Sequence, residues 1–341
     1  MTKNIKFLLS AFLISFFFTF SINLFGKNLE DFFFLQEITK NPQLFLAQLN
    51  PVRDESLNGV NIGRISGPTQ LESENLEIQA ESAFSVLVNA RGEEKIIFEK
   101  ESDKILPIAS LTKLMAVDIV LENFDLSQTI EISQKAVSQE GDWGNLKIGE
   151  KLSVENLLYM ALIESSNDAA YALTEIINPE GFIELMNLEA RYLDMANTHF
   201  EDVTGISSKN QSNTVDLVIL TKHLLALPNF TTQNLGGLEK PLPHSENSLL
   251  RGLIWEILRK PEFDLILADG VFHHKLINTN QILQDWDGNF EIIGGKTGYT
   301  HEAKGCLLLV LKTPKQEYLI NVILGSEDRF GEMKKIIDSL E

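Results

Sequence analysis

Apolar residues recur three and four positions apart at Leu114, Val117, Leu121 and Phe124, with few helix breakers and Pro107 a few residues upstream. This spacing predicts a helix that opens at Ser110. By the same criterion helices are expected over Val154 to Ile163, Ala169 to Ile177, Gly181 to Leu193, Val215 to Leu225, Leu249 to Leu258 and Phe330 to Leu340. Strand patterns lie at the two ends of this helical block. Phe84 to Asn89 and Lys95 to Glu99 predict a hairpin turning at Ala90-Arg91-Gly92-Glu93, and Phe290 to Gly294, Gly305 to Leu311 and Tyr318 to Leu324 predict three more strands. Pro228 to Asp269 is poorly patterned apart from its one helix. The order of hairpin, helices, strands and terminal helix predicts an α+β domain with an antiparallel sheet drawn from both ends of the domain, packed with helices beside a mainly helical block.

Before Ala83 the pattern changes. Lys3 and Lys6 precede a nearly uninterrupted apolar run from Phe7 to Phe25, which reads as a signal sequence or an N-terminal membrane anchor over residues 1–27. Residues 28–81 read as a spacer: Asp31 to Leu49 has apolar clusters compatible with a short helix, and Pro51 to Asn75 mixes Asn, Gly, Ser, Pro and acids without a period. The remaining residues, 82–341, form the folded domain. A net charge of -19 argues against phosphate-backbone binding, which needs basic surface, so no nucleic-acid partner is expected. The single cysteine, Cys306, permits no intramolecular disulfide. The six histidines show no metal-ligand spacing, His273-His274 standing as an isolated pair, and neither metal nor cofactor is expected.

The candidate chemistry lies in Ser110-Leu111-Thr112-Lys113. Residues three apart share a helix face, so the Lys113 amine reaches the Ser110 hydroxyl. An amine whose pKa is lowered by burial or by a second cation can take the serine proton. A serine opening a helix is more often a simple cap, but no other Ser here has a Lys three residues later. Lys296-Thr297-Gly298, flanked by Gly294-Gly295 and by Tyr299-Thr300, offers a charge and a hydroxyl where a ligand can approach a strand closely. Of six S-x-N occurrences, only Ser165-Ser166-Asn167 lies just past a predicted helix of the middle block.

Together, S-x-x-K, S-x-N and K-T-G in this order resemble the penicillin-binding and serine β-lactamase superfamily. The local context of Ala109 to Met115, Ser165 to Ala169, Asn278-Thr279-Asn280 and Gly295 to Thr300 is most similar to the low-molecular-weight penicillin-binding proteins of the D-alanyl-D-alanine carboxypeptidase family. The resemblance runs from about Ala83 onward and implies a β-lactamase/transpeptidase-like fold. It implies a serine-type carboxypeptidase acting outside the cytoplasmic membrane on peptidoglycan stem peptides that end in D-Ala-D-Ala, with β-lactams as covalent inhibitors. Ser110 would be the nucleophile, Lys113 its base, Ser165 a proton relay and Asn167 a substrate holder. Lys296 would attract the terminal carboxylate and lower the pKa of Lys113, with Thr297 and Gly298 beside it. The backbone N–H groups of Ser110 and Tyr299 would form the oxyanion hole, and Arg329 would contact the terminal carboxylate.

Departures from the family pattern are also visible. Ser166 replaces the usual Gly and is expected to put a side chain beside the site. No additional β-rich domain or C-terminal amphipathic anchor follows the last helix, so membrane attachment is expected of the amino terminus. A D,D-endopeptidase has the same motifs. A class A β-lactamase would need a glutamate in an E-x-x-L-N loop, and Glu201-Asp202-Val203-Thr204-Gly205 lacks the Leu-Asn. A non-catalytic wall-binding or β-lactam-sensing protein would be expected to carry a broken motif, and none is broken.

Overall fold

The computed structural model of the protein describes residues 76–141, 144–227 and 250–340. The signal or anchor stretch, the spacer up to residue 75 and residues 228–249 lie outside the described residues. In chain order, β1 (Ser82–Val88) and β2 (Glu94–Lys100) form the hairpin, whose turn is held by the Asn89 side chain accepting from the N–H groups of Arg91 and Glu93. β3 (Leu106–Pro107) leads to a 3-10 turn over Ala109–Leu111 and then to α1 (Thr112–Asn123). The short elements β4 (Thr129–Glu131), α2 (Gln134–Val137) and β5 (Lys151–Ser153) precede α3 (Val154–Ile163), α4 (Asn167–Thr174) and α5 (Pro179–Tyr192). After β6 (Gln211–Ser212) come α6 (Thr214–Leu224), α7 (Arg251–Leu258), β7 (Glu262–Ile266) and β8 (Phe272–Ile277). β9 (Glu291–Thr300), β10 (Lys304–Lys312), β11 (Tyr318–Ser326) and α8 (Arg329–Asp338) complete the described chain.

The main sheet is antiparallel, in the order β2-β1-β11-β10-β9, so strands from both ends of the domain pair directly. Its central strands are buried on both faces, which explains their nearly continuous apolar sequences. Leu307, Leu309, Leu311, Leu319 and Ile323 pack with Met333, Ile336 and Ile337 of α8 on one face. The other face meets the helical block, where α6 lies against β1 and β11. Asn321 is the one polar intrusion in β11 before Ser326. It is satisfied by Ser85 Oγ at 2.6 Å and by the Leu309 and Leu319 carbonyls.

Helix starts follow local capping chemistry. Ser153, Ser166, Asn178, Asn213 and Asp328 each accept a backbone N–H at the head of α3, α4, α5, α6 and α8. Ser110 does not do this; it sits inside the 3-10 turn, and neither that turn nor α1 has a side-chain cap. α1 is buried on all sides from Thr112 to Leu121 and so runs through the core instead of along its surface.

The folded region begins earlier than residue 82. Ile78 and Ala80 are buried, Lys100 Nζ donates to the Ile78 carbonyl, and the Gln79 and Ala80 N–H groups donate to Glu332, so residues 76–81 belong to the domain and not to a spacer. The β7–β8 hairpin, partly inside the stretch without a pattern, is another departure, as are the short β4–β5 and β3–β6 pairs. Its turn is fixed by Asp269 accepting from the Val271 N–H and by Gly270 at φ +83°.

Candidate active site

The site forms where the 3-10 turn meets β9 and the heads of α1 and α4. Lys113, on the first turn of α1, is fully buried, and its Nζ lies 2.9 Å from Ser110 Oγ, 2.7 Å from Asn167 Oδ1 and 2.7 Å from the Thr204 carbonyl. Asn167 opens α4, and its Nδ2 donates to the Glu140 carbonyl at 2.5 Å. Lys296, on edge strand β9, is also buried and donates to Ser165 Oγ at 2.8 Å and to the Thr297 carbonyl at 3.1 Å. Gly298 lets β9 press against the turn; a Cβ there would lie 3.0 Å from Ser110 N and 3.0 Å from the Ile108 carbonyl.

The remaining expected residues surround this centre. Thr297 Oγ1 is 2.5 Å from Thr279 Oγ1, which ties β9 to the Asn278-Thr279-Asn280 segment. Tyr299 points outward and is 66% exposed. Arg329, the first residue of α8, donates from Nη1 to the Gly298 carbonyl at 2.9 Å, and its buried Nε makes no hydrogen bond. The turn after α3 therefore faces β9, and the head of α4 faces α1. Ser166 does not line the site as expected. Its side chain is fully buried and caps α4, accepting from the Ala169 N–H at 3.1 Å.

One part of the site carries no motif. Thr204 brings its main-chain carbonyl to both Lys113 Nζ and Ser110 Oγ, the latter at 3.4 Å. Its loop is wound around the Asp202 carboxylate, which accepts five hydrogen bonds from Thr204 N, Thr204 Oγ1, Gly205 N, Ser207 N and Asn210 Nδ2. Glu201, next to it, turns outward to Lys209 and His199. The only advance signal was an acid three residues before a glycine.

Burial brings the Lys113 amine down to about 7, against an opposing pull from Asp202. Lys296 is displaced well below the ordinary lysine range, first by burial and then by the charges of Lys113 and Arg329. The resemblance had assigned the lowering of Lys113 to Lys296. Burial is the largest cause for both amines here, and the repulsion between them belongs to the pair.

This architecture and motif set can be compared with known proteins. The D-alanyl-D-alanine carboxypeptidase family, peptidase S11, matches residues 69–239. The chain belongs to this family. Among its relatives, D-alanyl-D-alanine carboxypeptidase DacF of Bacillus subtilis is 29% identical over 273 residues, covering 77% of this chain and 62% of DacF. A D-alanyl-D-alanine endopeptidase of Escherichia coli is 30% identical over 272 residues, covering 77% of this chain and 76% of the relative. The crystal structure of a Streptomyces DD-transpeptidase superposes with a TM-score of 0.62 at 24% identity, over 77% of this chain and 97% of that one. The α+β fold is therefore that of the penicillin-binding DD-peptidases. The family match ends before Lys296, so the K-T-G segment joins the site through the β9 geometry described above.

Proposed function

We infer that the protein is a serine D-Ala-D-Ala carboxypeptidase acting on peptidoglycan stem peptides through an acyl-enzyme on Ser110. The observation that carries this reading is the direction of the Lys113 hydrogen bonds. The Thr204 carbonyl can only accept, and so can Asn167 Oδ1, because the Asn167 amide nitrogen is committed to Glu140. A neutral amine has two N–H bonds and one lone pair. With both N–H bonds of the neutral amine given to those acceptors, its lone pair is left for Ser110 Oγ, to which the protonated amine donates its third N–H at 2.9 Å. An amine brought to about 7 is substantially neutral at physiological pH and can accept the serine proton.

Ser110 Oγ then bonds to the carbonyl carbon between the two D-alanines. As the C–N bond breaks, the proton held by Lys113 passes by way of Ser165 to the departing D-alanine amine. Asn167 holds the substrate backbone, and Lys296, Thr297 and Arg329 hold the terminal carboxylate, with Gly298 letting it approach the strand. The N–H groups of Ser110 and Tyr299 receive the oxyanion. Water releases the product from the acyl-enzyme. β-Lactams acylate the same serine. Intact-mass measurement after incubation with benzylpenicillin tests the reading: an adduct on the wild type that Ser110→Ala abolishes supports it, and an unmodified, folded wild type that leaves the drug intact rejects it.

A second reading, D,D-endopeptidase cleavage of cross-links, is favoured by coverage. The chain spans 76% and 77% of the Escherichia coli and Pseudomonas aeruginosa endopeptidases, against 62% of DacF. Release of monomers from cross-linked dimers, compared with D-alanine release from pentapeptides, separates the two. Fast β-lactam hydrolysis is disfavoured because Glu201 is paired at the surface and Asp202 is spent in its loop. Family members act on the cell wall, which implies export, and residues 1–27 are read as the leader, cleaved or retained as an anchor. Among the described residues no helix is long and apolar enough to cross a membrane.

A further inference from the structure

Thr279 hydrogen-bonds to both walls of the site. It follows β8, in the middle of Asn278-Thr279-Asn280. Its N–H donates to the Ile163 carbonyl at 3.1 Å, at the end of α3 and two residues before Ser165. Its Oγ1 lies 2.5 Å from Thr297 Oγ1 on β9. The flanking asparagines are buried and fix the segment. Asn278 donates from Nδ2 to the Leu258 and Lys260 carbonyls and accepts the Asn280 N–H, and Asn280 Oδ1 in turn accepts the Ile282 N–H. Asn280 packs against β9 where Gly295 leaves room, since a Cβ at 295 would lie 2.8 Å from Asn280 Nδ2. β-Branching restricts χ1 of a threonine mounted in this way, so the main freedom left to Thr279 is rotation of its hydroxyl.

Among the described residues the Thr279 and Thr297 hydroxyls have no hydrogen-bond partner but each other. Each carries one proton, and only one of the two protons can lie between the oxygens. If Thr297 donates to Thr279, the Thr297 proton is spent and lone pairs are all that Thr297 offers a ligand. If Thr279 donates, the Thr297 proton is free to point into the site. A carboxylate has no proton to give, so only the second arrangement can hold it. A hydroxyl that accepts a hydrogen bond is also the stronger donor, because successive hydrogen bonds polarise one another.

Resting on the reading of Thr297 as a holder of the terminal carboxylate, we propose that Thr279 is a positioning residue for substrate recognition: it donates to Thr297 and so turns the Thr297 proton toward the carboxylate. The hydrogen bonds run from Thr279 O–H to Thr297 Oγ1, and from Thr297 O–H to a carboxylate oxygen. The bond from the Thr279 N–H to Ile163 ties this donor to the turn that carries Ser165, so one residue connects the carboxylate end of the site with the leaving-group side.

The test is steady-state release of D-alanine from a peptide ending in D-Ala-D-Ala, with thermal melting alongside. It compares the wild type, Thr279→Val, Thr279→Ser, Thr297→Val and the double variant Thr279→Val/Thr297→Val. Valine keeps the shape of threonine and removes the hydroxyl, and serine restores the hydroxyl. Thr279→Val should raise KM about five- to tenfold, the range of one net hydrogen bond, with kcat within about threefold, and Thr279→Ser should recover most of the loss. In the Thr297→Val background there is no hydroxyl to orient, so adding Thr279→Val should change KM by less than about twofold. A wild-type KM in Thr279→Val would overturn the proposal. So would an equal loss in both backgrounds, which would mean that Thr279 touches the substrate itself or only supports the fold. Thr279→Ala carries the same comparison if Thr279→Val does not fold. If the wild type releases no D-alanine but cleaves cross-linked dimers, the same constants are measured on the dimers with the same expected pattern. A wild type inert toward both peptides and toward benzylpenicillin rejects the enzymatic reading and this inference with it, whereas an active wild type matched by Thr279→Val rejects this inference alone.

Discussion

Gly205 approaches Ala109 so closely that a Cβ at position 205 would lie 2.0 Å from the Ala109 carbonyl oxygen and 2.9 Å from Ser110 N. Its φ of +87° is also one that L side chains rarely adopt. The contact locks the Asp202 loop onto the turn that carries Ser110. Gly205→Ala must push the two apart and move the Thr204 carbonyl off Lys113. We expect a loss of about 2–4 kcal/mol in urea unfolding from strain and clash. Benzylpenicillin acylation should fall by about 100-fold from misplacement of the reacting groups. A variant that acylates at the wild-type rate would show that the loop does not align the site.

Lys113 makes the reaction and the stability depend on pH in predictable directions. With Lys113 as the base we propose, the neutral amine is the active form, and acylation should rise with pH around a midpoint near 7. Lys113→Arg keeps the charge but does not deprotonate, and should cost about 1000-fold in acylation. For stability, the folded pKa lies below the value of about 10.4 in the unfolded chain, so between the two the unfolded state binds more protons. The contribution of this group therefore makes folding more favourable as pH rises from about 7 toward 10. Urea midpoints measured across that range should rise less steeply in Lys113→Met than in the wild type. Equal slopes would mean that the amine is not desolvated.

The parts of the molecule that sequence made legible are those whose information is local. Three- and four-residue spacing places α1 and brings Lys113 onto the Ser110 face, and nearly continuous apolar runs mark β10 and β11 because both of their faces are buried. The Thr204 carbonyl was not legible, because a main-chain group has no side-chain signature and its position depends on bonds to Asp202. The β7–β8 hairpin escaped notice because its strands are short and His273-His274 interrupts the alternation in β8. Ser166 was misplaced because the rotation that turns its side chain into the α4 cap follows from the left-handed turn at Ser165, which composition does not announce.

Asp118 lies farther along α1, buried between His223 and Arg251 at 3.0 and 3.1 Å, while Arg251 also pairs with Glu122. Burial works against ionisation of Asp118, but His223 and Arg251 more than offset it and hold the carboxyl below its usual range. A depressed carboxyl pKa contributes stability above the unfolded value of about 3.9, and that stability is lost as pH falls through the folded value. Arg251→Met leaves the carboxylates short of a cation and should cost about 3–5 kcal/mol at neutral pH. Its urea midpoint should also fall less than that of the wild type on acidification. A neutral effect at pH 7 would show that His223 alone balances the cluster.

Arg329 offers the sharpest test of how the substrate carboxylate is held. Its guanidinium is fixed by the Gly298 carbonyl and stacks over Phe330 at 4.9 Å, and the buried Nε has no partner. A planar fork with spare donors suits a carboxylate, and a lysine amine does not reproduce it. Arg329→Ala should therefore raise KM for a peptide ending in D-Ala-D-Ala by about tenfold or more, and Arg329→Lys should recover only part of the loss. If the interaction is made equally in the ground and transition states, kcat should stay within about threefold. The control is a peptide whose terminal carboxylate is amidated. Without the charge there is nothing for the guanidinium to bind, so turnover of that peptide should be poor in the wild type and no worse in Arg329→Ala. An equal loss on both peptides would assign Arg329 to bracing the β9 backbone at Gly298 and leave the carboxylate to Lys296 and Thr297.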